Sequence, residues 1–236
     1  GRDLTDGVHR HRPLSLKTIP EKFLFQGIDL KLRLGVIIIL AEKNPLVKLI
    51  FQEVVTMSRQ VVVVTTSLRE GSNSDALADA FAAGALSAGH HVEKISLKGK
   101  ELLFCQGCLC CQTTQACVLQ DDAASIIDKL CHADAVAFAT PIYYYEMSGQ
   151  MKTLLDRCNP LFSSDYAFRD VFLLATAAEE GDVVFEKAVT GLSGWIDCFE
   201  KASFAGSAFA GGVTEPGEIE GHPALQQAYA LGAAIK

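Results

Sequence analysis

No stretch of this 236-residue chain is apolar for long enough to form a membrane-spanning helix, which needs about 20 residues. The apolar run at residues 34–41 is too short, and Lys31, Arg33 and Glu42 lie beside it. We therefore expect no membrane partner.

An excess of positive charge is also missing. The 21 Lys and Arg residues are outnumbered by 28 Asp and Glu residues, which gives a formal net charge of −7 at pH 7. A broad surface for nucleic acid needs clustered positive charge. We therefore expect no nucleic-acid partner.

Several familiar catalytic and nucleotide-binding signatures are absent too. The chain has no H-E-x-x-H motif and no Ser, His and Asp in the order of a hydrolase triad. The loop after the first regular strand, residues 67–74, has neither the glycine spacing of a dinucleotide fingerprint nor the Lys-Ser/Thr pair of a P-loop. Four of the six histidines are scattered at loop edges, where such residues usually face solvent or cap helices. These are His90, His91, His132 and His222.

What residues 57–236 do show is a regular alternation of apolar strands and amphipathic helices. Strand patterns fall at residues 61–66, 91–98, 135–147, 170–178 and 203–213. Helix patterns fall at residues 75–89, 121–133, 148–158, 183–202 and 222–235. Five such alternations predict an α/β fold with a five-stranded parallel sheet covered on both faces. Ligands bind such sheets beyond the carboxyl ends of the strands.

Residues 1–56 differ in character from the rest of the chain. They combine polar stretches such as HRHRP with apolar stretches that lack a clear helical period. Met57 then precedes the first regular strand, as at the start of many bacterial cytoplasmic domains. We therefore expect an N-terminal extension at 1–56 and one domain at 57–236. The extension is disordered, reflects a misassigned start site, or forms an arm that packs on a partner subunit.

The loop SLREGSNS at residues 67–74 links the first strand to the first helix and has the character of an anion site. Free N–H groups at the start of a helix attract anions. The loop adds the polar and charged side chains of Ser67, Arg69, Ser72, Asn73 and Ser74. It predicts a phosphate monoester held by hydroxyls and amides. The alternative is that Ser and Asn only cap the helix while Arg69 is solvated.

The third strand ends in an aromatic loop, PIYYY, where a flat apolar ligand would lie against the sheet edge. Pro141 fixes the backbone there, and a tyrosine can cover a ring face while its hydroxyl stays in water. Three consecutive tyrosines cannot all face one way. We therefore expect at least one of Tyr143, Tyr144 and Tyr145 to cover the sheet end or a subunit interface.

The segments TTSLREGSNSDAL and TPIYYYEMSGQMKTLLDR resemble the NADPH-dependent FMN reductases, and the resemblance extends over residues 57–236. It implies a flavodoxin-like three-layer sandwich that binds FMN and accepts a hydride from NAD(P)H. The implied phosphate contacts are Ser67, Arg69, Ser72, Asn73 and Ser74. The implied isoalloxazine contacts are Pro141, Ile142, Tyr143 and Tyr144. The loop 177–182 would lie near the flavin edge.

We assign no catalytic side chain, because hydride and electron chemistry belongs to the flavin in such proteins. Lys152, Asp156 and Arg157 also match the resemblance, but their pattern favours a position on the helix surface. Asp121 and Asp122 are interpreted as helix caps.

Five of the eight cysteines lie within residues 105–117. Cys105, Cys108, Cys111 and Cys117 have the spacing C-x2-C-x2-C-x5-C, which suits one compact metal or cluster site. Such clustering favours metal or redox chemistry in a reducing compartment over a secreted disulfide fold. We therefore expect a cytoplasmic location.

This spacing in this fold resembles the iron-sulfur flavoproteins, in which four such cysteines hold a 4Fe–4S cluster next to FMN. The resemblance implies Cys105, Cys108, Cys111 and Cys117 as ligands, with Cys110 a spectator. Two alternatives stay open: an empty, disulfide-forming redox loop and a zinc site. Structural zinc sites usually pair two knuckles across a longer span. Three further cysteines are interpreted as packed thiols on helices: Cys131, Cys158 and Cys198.

Together these features predict an FMN-dependent oxidoreductase that passes electrons from NAD(P)H to a small acceptor such as flavin, a quinone or an electron carrier. One alternative is an iron-sulfur flavoprotein that relays electrons between protein partners. Another is a metal-binding domain without turnover. Because the flavin site of such a sheet is open on one side, we expect a homodimer or homotetramer in which a second subunit helps to close it.

Overall fold

The computed structural model describes residues 58–236, and the predicted extension at 1–56 lies outside the described residues. The strands are β1 (Gln60–Thr65), β2 (His91–Ser96), β3 (Ala135–Tyr143), β4 (Glu146–Met147), β5 (Asp170–Thr176) and β6 (Ser203–Ala210). The helices are α1 (Asn73–Ser87), α2 (Cys111–Thr114), α3 (Ala123–His132), α4 (Gly149–Arg157), α5 (Asn159–Phe162), α6 (Asp182–Ile196) and α7 (Pro223–Ala233). Within this part of the chain, no helix has the length and apolar character needed to span a membrane.

Five parallel strands form the sheet in the order β2, β1, β3, β5 and β6. A sixth strand, the two-residue β4, pairs antiparallel with the end of β3. The sequence predicts five strands and no such hairpin. The backbone reverses at Tyr144 and Tyr145, whose φ angles of 52° and 67° are left-handed. Periodicity gives no signal for that reversal, because tyrosines are typical of strands.

Strand β1 lies inside the sheet and is buried on both faces, as its apolar sequence predicts. Val62 and Val64 face the core that α3, α4 and α6 help to form. Val61 and Val63 face the core on the side of α1 and α7. Helices therefore cover both faces of the sheet, which gives the predicted three layers.

The predicted helix at 183–202 is too long, because α6 ends at Ile196. Beyond it the chain tightens, and the Phe199 N–H donates to the Ile196 carbonyl at 2.8 Å. This turn buries the Phe199 ring against Trp195, with 4.6 Å between ring centroids. Aromatic packing therefore ends the helix earlier than its apolar pattern indicates.

Helices α1 and α7 cross closely, and a glycine on each helix permits it. A Cβ on Gly84 would lie 2.0 Å from the Tyr229 carbonyl oxygen. A Cβ on Gly232 would lie 2.1 Å from the Phe81 carbonyl oxygen. Both distances are far inside van der Waals contact, so this crossing requires residues without a side chain.

We expect Gly84→Ala to lower the free energy of unfolding by about 3 kcal/mol, because the added methyl group must push the two backbones apart. Gly194→Ala is the matched control, since Gly194 lies within α6 and a Cβ there meets nothing within 4 Å. In the control, alanine should stabilise the helix by up to about 1 kcal/mol. Urea denaturation measures the free energy of unfolding of both variants. Equal changes in Gly84→Ala and Gly194→Ala would contradict the close crossing of α1 and α7.

Two of the histidines predicted to face solvent or to cap helices differ from each other. His222 is the N-cap of α7 and accepts from the Ala224 N–H at 3.1 Å, as the capping interpretation predicts. His90 is buried, so solvation is wrong for this residue. Its Nδ1 accepts from the Arg59 N–H at 3.2 Å, and its Nε2 lies 3.0 Å from the Ile235 carbonyl oxygen. The ring thereby ties the start of β1 to the C-terminal segment.

Candidate functional site

The carboxyl ends of four parallel strands border a cleft of about 180 Å³. The cleft brings together eight of the nine predicted cofactor-binding residues: Ser67, Arg69, Ser72, Asn73, Ser74, Pro141, Ile142 and Tyr143. The ninth, Tyr144, does not line it, and this residue is 99% exposed. Two loops predicted separately from the sequence therefore share one site.

The N-terminus of α1 forms one side of this cleft. Ser72 is its N-cap, and the Ser72 hydroxyl accepts from the Asp75 N–H at 3.2 Å. The main-chain amides of Asn73 and Ser74 donate to no acceptor within residues 58–236. Unpaired amides at the positive end of a helix dipole attract anions. This side of the cleft thus has the donors that a phosphate requires.

Three buried serine hydroxyls, those of Ser67, Ser72 and Ser74, lie beside these amides. The Ser67 hydroxyl accepts from the Arg69 N–H at 3.2 Å, and the hydroxyls of Ser72 and Ser74 lie 3.3 Å apart. A hydroxyl that accepts a hydrogen bond keeps its own O–H to donate. The cluster can therefore add donors to an anion without rearranging its backbone.

The side chains of Arg69 and Asn73 hold the loop that follows β6. Arg69 forms an ion pair with Glu215 and donates to the Thr214 carbonyl at 2.6 Å. The Asn73 amide donates to the Glu215 carbonyl at 2.9 Å. Both residues line the cleft, but their side chains already have protein partners. In this structure the side chains of Arg69 and Asn73 therefore fix the position of the loop at residues 214–215, which forms part of the cleft wall.

Part of that wall was missed in the sequence. The unassigned lining residues are Thr176 at the end of β5 and Val213, Thr214 and Pro216 after β6. Ala177 and Ala178 also line the cleft, at the start of the loop expected near the flavin edge. The order of the predicted strands could have indicated these residues. The last predicted strand ends at residue 213, and its carboxyl end lies at the same edge of the sheet as the two loops.

A buried hydroxyl network joins the strands beneath the cleft. The Thr66 hydroxyl donates to the Ala139 carbonyl at 3.0 Å and lies 3.0 Å from the Ser148 hydroxyl. The Thr140 hydroxyl lies 3.1 Å from that same oxygen, which also caps α4 by accepting from the Met151 N–H. The ends of β1 and β3 and the start of α4 are thereby fixed relative to one another.

The tyrosines behave differently from one another, as the sequence predicts. Tyr143 lines the cleft and is half-exposed, whereas Tyr144 projects into solvent. The Tyr145 hydroxyl donates to the Glu179 carboxylate at 2.9 Å, and Lys187 Nζ lies 5.3 Å from the Tyr145 ring centroid. Tyr145 thus ties the aromatic loop to the loop after β5.

The hydrogen bond from Tyr145 to Glu179 raises the pKa of the Tyr145 phenol, because the neighbouring carboxylate disfavours a second negative charge. We expect Glu179→Gln to lower that pKa toward the usual value of about 10. Titration of the ultraviolet absorbance of phenolate measures this pKa. The variant Tyr145→Phe shows which titration step belongs to Tyr145, because that step is then missing. An unchanged Tyr145 step in Glu179→Gln would show that the bond does not form in solution.

The four cysteines of the predicted metal site line a second cavity, of about 330 Å³. Its cysteines are Cys105, Cys108, Cys111 and Cys117, while Cys110 does not line it. Cys111 is buried and begins the short helix α2. Within residues 58–236, no three His, Cys, Asp or Glu side chains are grouped closely enough to hold one metal ion. The four thiols therefore share a cavity but are not drawn together.

Two nitrogen donors reach sulfurs of this loop from the junction of α4 and α5. The Asn159 amide donates to the Cys111 sulfur at 3.0 Å, and the Arg157 guanidinium donates to the Cys117 sulfur at 3.5 Å. Nitrogen donors of this kind stabilise charge on thiolate ligands. The donor set of the cavity thus fits a sulfur-ligated group.

The predicted surface position of Arg157 is wrong, because its side chain is completely buried. It forms a bidentate ion pair with Asp121, whose side chain is also completely buried. Asp121 also accepts from the Ala123 N–H at the start of α3 at 3.1 Å, as the capping interpretation predicts. Asp122 is the N-cap residue of α3, but its side chain makes no capping hydrogen bond, so the interpretation is wrong for Asp122. Lys152 and Asp156 lie on the surface as expected and pair with each other.

The three cysteines predicted to be packed thiols differ in how deeply they are buried. Cys158 is fully buried, and burial raises the pKa of its thiol to about 12. Cys131 is half-buried, and Cys198 is exposed, so packing is wrong for Cys198. The raised pKa keeps Cys158 a neutral thiol at ordinary pH, because thiolate reactivity needs the opposite shift.

A family model for NADPH-dependent FMN reductases matches residues 59–228. The chain belongs to the NADPH-dependent FMN reductase family. This match confirms the family that the two loops predict. It also confirms the prediction that the cofactor is FMN.

Relatives of this FMN reductase family member include two groups of curated proteins. An iron-sulfur flavoprotein of Archaeoglobus fulgidus is 33% identical over 101 residues, 43% of this chain and 46% of that protein. A putative NAD(P)H-dependent FMN-containing oxidoreductase of Bacillus subtilis is 27% identical over 187 residues, 73% of this chain and 96% of that protein. The chain spans about half the length of the first curated relatives that it matches.

Solved structures agree on the fold. An NAD(P)H:quinone oxidoreductase from Methanothermobacter marburgensis superposes with a TM-score of 0.61 at 19% identity, covering 75% of this chain and 95% of that one. The likeness to structures of this type confirms the flavodoxin-like fold of the family member. The cleft also fits FMN in its chemistry, since amides and hydroxyls lie at one side and Pro141, Ile142 and Tyr143 at the other.

Proposed function

We propose that this chain is an FMN-dependent oxidoreductase that takes a hydride from NAD(P)H and passes electrons to a small acceptor, such as flavin, a quinone or an electron carrier. The observation that carries the proposal is the single cleft that brings the polar loop at 67–74 to the aromatic loop after β3. FMN has the same two parts, a phosphate and a flat ring. Family membership supports the same assignment.

In this proposal the chain binds and orients the flavin, and the bound flavin supplies the hydride and electron chemistry. The amides of Asn73 and Ser74 and the three serine hydroxyls hold the phosphate. Pro141, Ile142 and Tyr143 contact the ring. Arg69 acts mainly on the cleft wall through Glu215, and its charge also lowers the potential energy of a nearby anion. No side chain is assigned a proton transfer.

Rapid anaerobic mixing of the FMN-loaded protein with NADPH, and separately with NADH, tests this function. We expect at least one nicotinamide to bleach the visible flavin absorbance, and a subsequent pulse of quinone or free flavin to restore it. If neither nicotinamide bleaches the bound flavin, the proposed electron donor is wrong. Bleaching without reoxidation by any small acceptor would instead favour a protein acceptor.

A second candidate function is electron transfer through a 4Fe–4S cluster held by Cys105, Cys108, Cys111 and Cys117. The observation that favours it is the cavity shared by these four thiols, with nitrogen donors to two of the sulfurs. The curated relatives called iron-sulfur flavoproteins support it as well. In this function the electrons leave singly toward a protein partner.

Iron and acid-labile sulfide analysis after anaerobic purification tests the second candidate. We expect both elements in the unchanged protein, their loss in Cys108→Ser, and their retention in Cys110→Ser. The neighbouring Cys110 is a matched control because it does not line the cavity. Flavin without iron or sulfide would exclude the cluster, and retained zinc or a disulfide would identify which alternative replaces it.

We also propose a homodimer or homotetramer in which the aromatic loop lies at a subunit interface. The fully exposed Tyr144, in a strained left-handed conformation beside the cleft, supports this placement. Light scattering coupled to gel filtration measures the subunit number. A monomer at micromolar concentration would contradict it.

A further inference from the structure

We propose that Arg157 and Asn159 hold the sulfurs of Cys117 and Cys111 in place and raise the reduction potential of the group bound by the cysteine loop. This inference rests on the second proposed function, in which that group is an iron–sulfur cluster. It concerns two residues outside the four-cysteine motif, one of which the sequence pattern places on the surface.

Both donors come from a single turn between α4 and α5. Arg157 is the last residue of α4, and Asn159 is the first residue of α5. Between them lies Cys158, whose fully buried side chain anchors the turn in the core. Because the turn is anchored, the two nitrogen donors have fixed positions relative to the cavity. They reach the two sulfurs of Cys111 and Cys117 that lie on the protein side.

Arg157 also joins the two ends of the cysteine loop. Its guanidinium donates to the Leu103 carbonyl at 2.8 Å, just before the first cysteine. It pairs with Asp121 just after the last cysteine, and Asp121 in turn accepts from the Leu103 N–H at 2.7 Å. The loop is therefore closed at its base by one buried ion pair, and a further N–H of the Arg157 guanidinium is directed to Cys117.

Nitrogen donors act on the electron affinity of a sulfur-ligated group through charge. Reduction adds negative charge, much of it on sulfur, and N–H dipoles directed at the ligand sulfurs stabilise that charge. The charge of Arg157 is balanced by Asp121, so both residues act mainly through oriented N–H groups. Their loss should make the bound group harder to reduce and its sulfurs less well placed.

Asn159 is the residue to change, because removing Arg157 would unbalance a buried charge and threaten folding. Asn159→Leu removes the donor at similar size, and Asn159→Asp replaces it with a carboxylate facing the sulfur. Gln115 supplies matched controls: it lies in the cysteine loop, but its amide donates to the Ser163 carbonyl at 2.8 Å instead of to a sulfur. The control variants are Gln115→Leu and Gln115→Glu.

The readouts are the midpoint potential of the reconstituted cluster, followed by electron paramagnetic resonance, and the rate of iron loss to a chelator. We expect a more negative potential in Asn159→Leu, a larger negative shift in Asn159→Asp, and iron retention weakened by about 10- to 100-fold. Both Gln115 variants should match the unchanged protein.

The possible failures are distinct. If the unchanged protein binds no iron and sulfide under reconstitution, the cluster function fails, and this inference fails with it. If the unchanged protein holds a cluster but the Asn159 variants match the Gln115 controls in potential and iron retention, the cluster function stands and only the inference is overturned. Equal shifts in Gln115→Glu and Asn159→Asp would also overturn it, because nearby charge alone would then explain the effect.

Discussion

Replacing Ser74 with aspartate is expected to weaken FMN binding by about 100-fold or more. Ser74 lies in the first turn of α1, lines the cleft and is 1% exposed. A carboxylate there would face the proposed phosphate site in a water-poor environment, where like charges cost several kcal/mol. A loss of about 2.7 kcal/mol corresponds to 100-fold in affinity. Quenching of flavin fluorescence on titration with apoprotein measures it.

Ser74→Asn is the matched control, because asparagine has nearly the shape of aspartate without its charge. An acidic residue in the first turn of a helix is favourable for folding, so the aspartate variant should remain folded. We therefore expect the asparagine variant to bind FMN much more tightly than the aspartate variant. Equal affinities would mean that the phosphate does not bind at the N-terminus of α1.

Arg157→Met is expected to lower the free energy of unfolding by about 3–5 kcal/mol, because it leaves a buried carboxylate without its partner. The side chains of Arg157 and Asp121 are both completely inaccessible to solvent. The variant also removes the N–H donated to the Leu103 carbonyl. Urea denaturation at neutral pH measures the loss. A decrease below about 1 kcal/mol, the usual value for exposed pairs, would show that the pair is solvated.

The pH dependence of that loss provides an independent check. Burial acts to raise the pKa of Asp121, but the hydrogen bonds from Arg157 and from the Leu103 N–H outweigh it and lower the pKa below its usual value. A lowered folded-state pKa gives stability that is present above the ordinary aspartate pKa of about 3.9 and is lost as the pH falls through the folded value. The stability difference between the unchanged protein and Arg157→Met should therefore shrink in acid.

The order of strands and helices was predictable because local signals and global topology agree. Four consecutive valines in β1 can only be buried on both faces, and the alternation with helices then dictates a parallel sheet. The polar loop at 67–74 was predictable for the same reason, since it joins a buried strand to a helix start. Both inferences use residues that are close in the sequence.

The errors have a common physical origin in long-range contacts. Arg157 follows a surface pattern on α4, and only the distant Asp121 makes its burial possible. Features that were not predicted share this origin, since Arg69 pairs with Glu215, which lies 146 residues away in sequence. Tyr145, within the unpredicted hairpin, likewise pairs with Glu179, which follows a different strand. Such pairings have no signature in periodicity or composition.

The most direct test of the central claim is a comparison of FMN with riboflavin as ligands of the unchanged apoprotein. The two molecules share the ring and differ by the phosphate, so the comparison isolates the polar side of the cleft. We predict saturation at one FMN per chain and an affinity for riboflavin that is lower by about 100-fold or more, as expected for the loss of several charged hydrogen bonds. Equal affinities, or no binding of FMN, would contradict the assignment of this cleft as the flavin site.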